Sequence, residues 1–192
     1  MRVLIAGVGN VLRGDDAFGV EVARRLAAEP LPPDTRVVET GIGGVALVHE
    51  LQDGWDALIV ADAVARDRPP GTVMLIELDV FDIDQLTWRE RSDFLADMHL
   101  ATPERALMLA QALGVLPARR FMVGCQPVDA DAFGPGMSEP VQAAVDIGID
   151  MIRQLLDQLR ASPTSSTGAT GATSSTEAAP ADAVPAVEAV EH

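Results

Sequence analysis

The chain has 192 residues, of which 48% are apolar, so it is long enough to bury a sizeable core and suits one domain. Its net charge of −15 disfavours nucleic acid and anionic membranes as partners, because both are bound by clustered cationic groups. One cysteine cannot form an internal disulfide, and no apolar stretch suits a signal peptide or a membrane span, so we expect a cytoplasmic protein.

The N-terminal residues predict a strand, a loop with three glycines, and a helix. Residues 3–6 are apolar and partly β-branched, and Phe18 begins an apolar series with a spacing of four. The loop ends in two adjacent carboxylates, Asp15 and Asp16. Leu12 stands where a dinucleotide-binding fingerprint needs its third glycine, which leaves a nucleotide-binding module as a weak alternative. The aspartate pair suits a cation or a proton better than a phosphate.

The middle of the chain predicts two further parallel strands and one antiparallel strand. A short strand at residues 36–39 precedes a helix at 45–51, on which His49 is expected to be exposed. Residues 57–61 are uniformly apolar, as in a central strand buried on both faces, and Asp62 ends this strand. Only about nine residues lead to the next strand, too few for a parallel crossover, so we expect that strand to be antiparallel.

The second half predicts a surface loop, a helix, a strand and a last helix. Residues 79–98 are acidic and irregular, and His99 follows them in the loop before a helix capped by Thr102 and started by Pro103. The fifth strand ends at Cys125, which we interpret as a packing residue. The last helix extends to about residue 159, and residues 161–192 form an Ala/Ser/Thr/Pro-rich tail that we expect to be disordered.

Together these elements predict one α/β domain over residues 1–160. It is a three-layer α/β/α sandwich with a mixed five-stranded sheet, one antiparallel strand and helices on both faces. If the strand order begins 2-1-3, Asp16 and Asp62 face each other across the switch point of the sheet. His99 is the histidine whose loop could reach them, and this set of ligands suits a divalent transition metal.

A passive role for these aspartates is the alternative interpretation. Two carboxylates about 4 Å apart repel by roughly 4 kcal/mol at an effective dielectric of 20, so a cation or a shared proton is needed to offset the repulsion. Alternatively, Asp15 and Asp16 only cap the first helix, each contributing about 1 kcal/mol. We expect Asp15 to have this capping role.

Three segments resemble the nickel-iron hydrogenase maturation endopeptidases. The stretch at residues 7–19 is similar to their N-terminal signature, G-x-G-N-x-L-x-x-D-[DE]-x-x-G, at every fixed position. Ala61-Asp62-Ala63 resembles a strand end that carries an aspartate metal ligand in that family. Gly124-Cys125-Gln126-Pro127 resembles its G-x-x-P turn, and His99 fits in type and order, although the serine of the usual S-x-H is absent. The resemblance covers about residues 1–160.

The resemblance implies a cytoplasmic endopeptidase that removes the C-terminal extension of a nickel-loaded hydrogenase large-subunit precursor. Nickel supplied by the substrate would be bound by Asp16, Asp62 and His99, without an organic cofactor. Asp16 and Asp62 would also act in catalysis, and Glu39 would join them where the family often has D-G-G-T. A metal-dependent chaperone that binds a hydrogenase subunit without cutting it is the alternative.

Overall fold

Five strands form a single sheet in the order β2-β1-β3-β5-β4. A computed structural model of the chain describes residues 1–42, 44–81, 85, 87–89, 102–129 and 132–161. The strands are β1 (Val3–Val8), β2 (Thr35–Gly41), β3 (Ala57–Ala63), β4 (Val73–Glu77) and β5 (Arg119–Cys125). The order begins 2-1-3, the condition under which Asp16 and Asp62 were expected to face each other, so the carboxyl ends of β1, β2 and β3 meet at one edge of the sheet.

The fourth strand is antiparallel to its neighbour, while the other pairs are parallel. The short connection from β3 turns back along β5, and its ends are fixed by backbone hydrogen bonds. Val64 N donates to Cys125 O, and Gly71 N donates to Gln126 O. A connection this short cannot cross the sheet, so the chain reverses direction and β4 becomes an edge strand. The predicted mixed sheet is therefore confirmed.

Helices cover both faces of the sheet, which confirms the three-layer sandwich. The helices are α1 (Phe18–Ala27), α2 (Gly44–Leu51), α3 (Pro103–Ala112) and α4 (Glu139–Ala161). One buried cluster joins α1 and α4 to the sheet, and a second joins α2 and α3 to the opposite face. Every residue from Ala57 to Ala61 in β3 is fully buried, as expected for a strand between two helical layers.

Several predicted features lie outside the described residues. These are His99, most of the predicted surface loop at residues 79–98, and the tail after residue 161. The predicted last helix is present as α4 and ends at Ala161, close to the expected position. Within the described part of the chain, no helix is long and apolar enough to cross a membrane.

Candidate active site

The structure brings Asp16 and Asp62 together in one cavity at the carboxyl edge of the sheet. Asp16 lies in a 3₁₀ turn (Gly14–Ala17) that follows β1, and Asp62 lies near the end of β3. Both line a cavity of about 240 Å³, together with Thr40 from β2 and with Thr102 and Pro103 at the start of α3. The expected arrangement across the switch point is thus present, and the chemical roles of the two aspartates stay predictions.

Two glycines allow the helical layer to approach the strands this closely. A Cβ atom on Gly19, in the first turn of α1, would overlap the carbonyl oxygen of Ala61 in β3. A Cβ atom on Gly9 would overlap the carbonyl oxygen of Asp16, and Gly9 also has a φ of +131°, which disfavours other residues. The spacing of these glycines therefore has a physical reason, since it places the turn with Asp16 directly against the end of β3.

The carboxylate of Asp16 is oriented by the loop that precedes it. Asn10 N donates to Asp16 Oδ2 at 2.8 Å, and Asn10 Oδ1 accepts from Leu12 N at 3.0 Å. Asn10 thus stabilises the loop through two local hydrogen bonds. It fixes the carboxylate on the side of the turn that faces the cavity.

Asp62 is in an environment that disfavours its charged form. Burial, and then the negative charge of Asp16, raise the pKa of Asp62 to about 8, although a hydrogen bond from Ala63 N to Oδ1 at 2.8 Å opposes the shift. The charge of Glu104 on α3 adds to the increase. A carboxyl group of this kind holds a proton near neutral pH or exchanges it for a cation, so it suits a general base or a metal ligand.

Asp15 does not cap a helix, so that prediction was wrong. Neither the 3₁₀ turn nor α1 has a side-chain cap at its N-terminus. Asp15 is buried and accepts hydrogen bonds from Ser138 N at 2.6 Å, Ser138 Oγ at 3.0 Å and Val128 N at 2.8 Å. Burial alone would raise the pKa of Asp15, but these donors hold it below its usual value. Asp15 therefore links the turn of Asp16 to the segment between β5 and α4.

Glu39 is not brought to the cavity. Its carboxylate lies 3.0 Å from Arg24 Nε on α1, and both side chains are largely exposed. Successive side chains of a strand point to opposite faces, so the next residue, Thr40, faces the other helical layer and lines the cavity. Thr40 is buried and its Oγ1 donates to Gly7 O at 3.2 Å. Strand alternation was the sequence signal that could have favoured Thr40 over Glu39.

The third predicted metal ligand, His99, is outside the described residues. Thr102, three residues further along the chain, lines the cavity and caps α3 as predicted, accepting from Arg105 N at 3.4 Å. Within the described ranges, no group of three His, Cys, Asp or Glu residues could hold a metal ion. His49 is exposed on α2, as predicted.

Cys125 is a packing residue, as predicted. It is fully buried in the cluster that joins α1 and α4 to the sheet. Burial and the nearby charge of Asp15 raise the pKa of its thiol to about 11. The thiol is therefore protonated at neutral pH and is a poor nucleophile.

The chain is similar to hydrogenase maturation proteases in both sequence and structure. Residues 20–155 match the family model HycI, hydrogenase maturation protease. The hydrogenase expression/formation protein HupD of Rhodobacter capsulatus is 32% identical over 156 residues, which cover 80% of this chain and 71% of HupD. The crystal structure of hydrogenase 2 maturation peptidase from Thaumarchaeota archaeon SCGC_AB-539-E09 is 32% identical, with a TM-score of 0.60 over 82% of this chain and 99% of that chain.

A further solved structure shares the fold. The hydrogenase maturating endopeptidase HybD from E. coli is 24% identical, with a TM-score of 0.65 over 83% of this chain and 94% of HybD. Fold and relatives together define a peptidase with an α/β fold. The chain belongs to the hydrogenase maturation protease family, which confirms the resemblance seen in its sequence.

Proposed function

We propose that this protein is a cytoplasmic endopeptidase that removes the C-terminal extension of a nickel-loaded [NiFe]-hydrogenase large-subunit precursor. Nickel enters the site with the substrate and is bound by Asp16, Asp62 and His99. The observation that carries the proposal is the pair of carboxylates in one cavity, in a chain of the hydrogenase maturation protease family.

The electrostatics of the cavity fit a divalent cation. Burial and the charge of Asp16 destabilise the ionised form of Asp62, and a bound cation would relieve both effects. Carboxylate oxygens with one imidazole are a suitable donor set for a divalent transition metal, and two protein carboxylates leave coordination positions for the substrate. The cavity therefore favours an ion that arrives with ligands of its own.

His99 is close enough along the chain to complete this set of ligands. It precedes Thr102, which lines the cavity, by three positions, and three extended residues span at most about 11 Å. The proposed role of His99 depends on this short connection and on the order of the family motifs. Glu39 bonds Arg24 outside the cavity, so we assign the acid–base step to the two aspartates.

Hydrolysis of the precursor requires a polarised carbonyl or water and a group that accepts a proton. Nickel, when bound, supplies Lewis acidity at the scissile carbonyl or at a water. Asp62, whose pKa without a metal is raised to about 8, would release its proton when the cation binds, and one of the two carboxylates then acts as the general base. The Asn10 backbone amide holds Asp16 in place. Thr40 and the start of α3 form the walls that position the peptide.

The test is cleavage of a purified nickel-loaded precursor, followed by mass spectrometry of the product. We expect Asp16→Asn and Asp62→Asn to reduce the cleavage rate by at least roughly 100-fold, since each removes a metal ligand or a base. Replacing either residue by alanine should leave the metal-free fold as stable or slightly more stable, because charge repulsion is removed. Glu39→Gln and the exposed Asp157→Asn are the matched controls and should retain activity.

Different outcomes identify different functions. Loss of cleavage in Glu39→Gln would show that its carboxylate takes part despite its contact with Arg24. If Asp16→Ala lowers stability but spares cleavage, the turn has only a structural role. Binding of the precursor with no change in its mass would instead support the chaperone alternative.

A further inference from the structure

Two large apolar side chains are exposed beside the cavity. Leu12 is 57% exposed and Phe133 is 88% exposed. Backbone hydrogen bonds join their segments, from Gly134 N to Leu12 O at 3.0 Å and from Gly14 N to Gly134 O at 2.9 Å. These bonds form a parallel bridge between Arg13 and Gly134. Leu12 and Phe133 each precede a bridged residue, so they lie side by side, and we call them the Leu12–Phe133 pair.

Hydrogen bonds fix both segments that carry the Leu12–Phe133 pair, next to Asp16. Asp15 binds Val128 and Ser138, which flank the segment of Phe133 on both sides. On the other side of the bridge, the Asn10 side chain holds the Leu12 amide, and the Asn10 amide holds Asp16. The hydrogen bonds that position the candidate catalytic residue Asp16 therefore also hold the segments on which these apolar side chains are exposed.

The charge of this surface differs from that of the whole chain. The chain has 29 acidic residues, but residues 8–14 and 132–137 contain none and include one arginine. Ile42, which is 69% exposed, is a further apolar side chain on the cavity wall. Asp15, Asp16 and Asp129 border these stretches, and Asp129 Oδ1 accepts from Ala132 N at 3.1 Å. An apolar segment therefore meets uncharged side chains at Leu12 and Phe133 and carboxylates only beside them.

We propose that the Leu12–Phe133 pair docks an apolar segment of the hydrogenase large-subunit precursor next to the bond that is cut. This inference rests on the proposed function. A cavity of about 240 Å³ holds only a few side chains, so a polypeptide cut within it must continue across the rim. The pair lies beside the turn of Asp16, and a few well-packed side chains, with aromatic ones prominent among them, carry most of the binding energy at interfaces.

The test compares two double variants of matched composition. Leu12→Ser with Phe133→Ser removes the docking pair. Leu113→Ser with Phe81→Ser is the control variant. It removes a leucine that is 54% exposed after the end of α3 and a phenylalanine that is 49% exposed after β4. Both control positions lie towards the opposite edge of the sheet, since α3 begins at the cavity and β4 leads away from it. Steady-state cleavage of the nickel-loaded precursor gives kcat and KM, and calorimetry gives Kd.

We expect the Leu12–Phe133 variant to raise KM and Kd roughly tenfold or more, with kcat within about twofold of wild type. The control variant should match wild type in all three. If both variants have the same KM and the same Kd, the docking proposal is overturned. Cleavage of the precursor by wild type would still support the proposed function in that case. If wild type binds the precursor without cutting it, the proposed function fails and Kd alone decides the docking proposal.

Two other results would also overturn it. The first is a wild-type dimer that the Leu12–Phe133 variant converts to a monomer without a change in KM, because the pair would then bind a second copy of this chain. The second is absence of any binding between wild type and precursor. Thermal unfolding of each variant shows whether a change in KM reflects lost structure.

Discussion

Two buried carboxylates of this site differ in the direction of their pKa shifts, and the difference separates their roles. Burial favours the neutral acid in both. Asp15 receives several donors from Ser138 and Val128, so its charged form is favoured and its pKa is lowered. Asp62 receives one backbone donor and faces the charge of Asp16, so its pKa rises to about 8. Asp15 thus stabilises structure, whereas Asp62 is the carboxyl group to which we assign a chemical role in the proposal.

Asp62 makes the stability of the metal-free protein depend on pH. The folded state keeps the proton of Asp62 up to about pH 8, while the unfolded state releases it near the usual pKa of 3.8. The folded state binds more protons than the unfolded state in this range. The contribution of Asp62 to the free energy of unfolding is therefore fully present below about pH 4 and is lost as pH rises towards 8. Asp62→Asn should therefore stabilise the protein at pH 8 more than at pH 5.

The measurement is urea unfolding at both pH values in the presence of a chelator. The difference between wild type and Asp62→Asn should grow by at most roughly 4 kcal/mol from pH 5 to pH 8, about 1.4 kcal/mol for each pKa unit. Asp157→Asn, at an exposed position on α4, is the control for general effects of removing one charge. An equal difference at both pH values would show that folding does not raise the pKa of Asp62.

At the scale of elements, the site depends on how closely α1 approaches β3. Gly19 is in the first turn of α1, where helix propensity alone predicts that alanine would add about 1 kcal/mol of stability. Its Cβ would overlap a backbone carbonyl of β3, and a backbone group in the middle of a sheet cannot move aside. Gly19→Ala should therefore lower the free energy of unfolding by roughly 3 kcal/mol or more.

Gly148→Ala in α4 is the matched control for this prediction. A Cβ there would lie 2.9 Å from Cζ of Phe18, a side-chain atom that can shift by a small amount. We expect a loss of roughly 1 kcal/mol or less, because better helix propensity offsets part of the crowding. Chemical denaturation of both variants measures the two effects. Equal losses would contradict the argument that the backbone contact of Gly19 sets the distance between α1 and β3.

The elements could be predicted from sequence where local patterns determine them. The uniformly apolar run before Asp62 predicted a central strand, and a connection of about nine residues predicted an antiparallel β4. The pairing of Asp16 with Asp62 followed from the strand order. The role of Asp15 did not, because its partner Ser138 is 123 residues away and no local pattern reports such a contact. Glu39 was assigned by its position in a motif, whereas strand alternation decides which face it occupies.

At the scale of the whole molecule, we propose that residues 1–160 are a domain that needs no other part of the chain. Both buried clusters are built from helices and strands that end at Ala161. A variant ending at residue 161 should unfold within about 1 °C of the full chain, since the sequence after residue 161 has no burial pattern from which core contacts are expected. It should also cut the precursor at the same rate. Calorimetry and the cleavage assay test both, and a lower midpoint would show that residues 162–192 pack on the domain.

The bond between Asp15 and Ser138 also has a consequence for the order of synthesis. The ribosome produces both aspartates of the cavity long before it produces Ser138, which binds Asp15 in the turn of Asp16. A nascent or prematurely terminated chain that ends before Ser138 would thus carry both acids while Asp15 lacks two of its donors. We therefore expect a full cleavage site to form only after residue 138 has been synthesised.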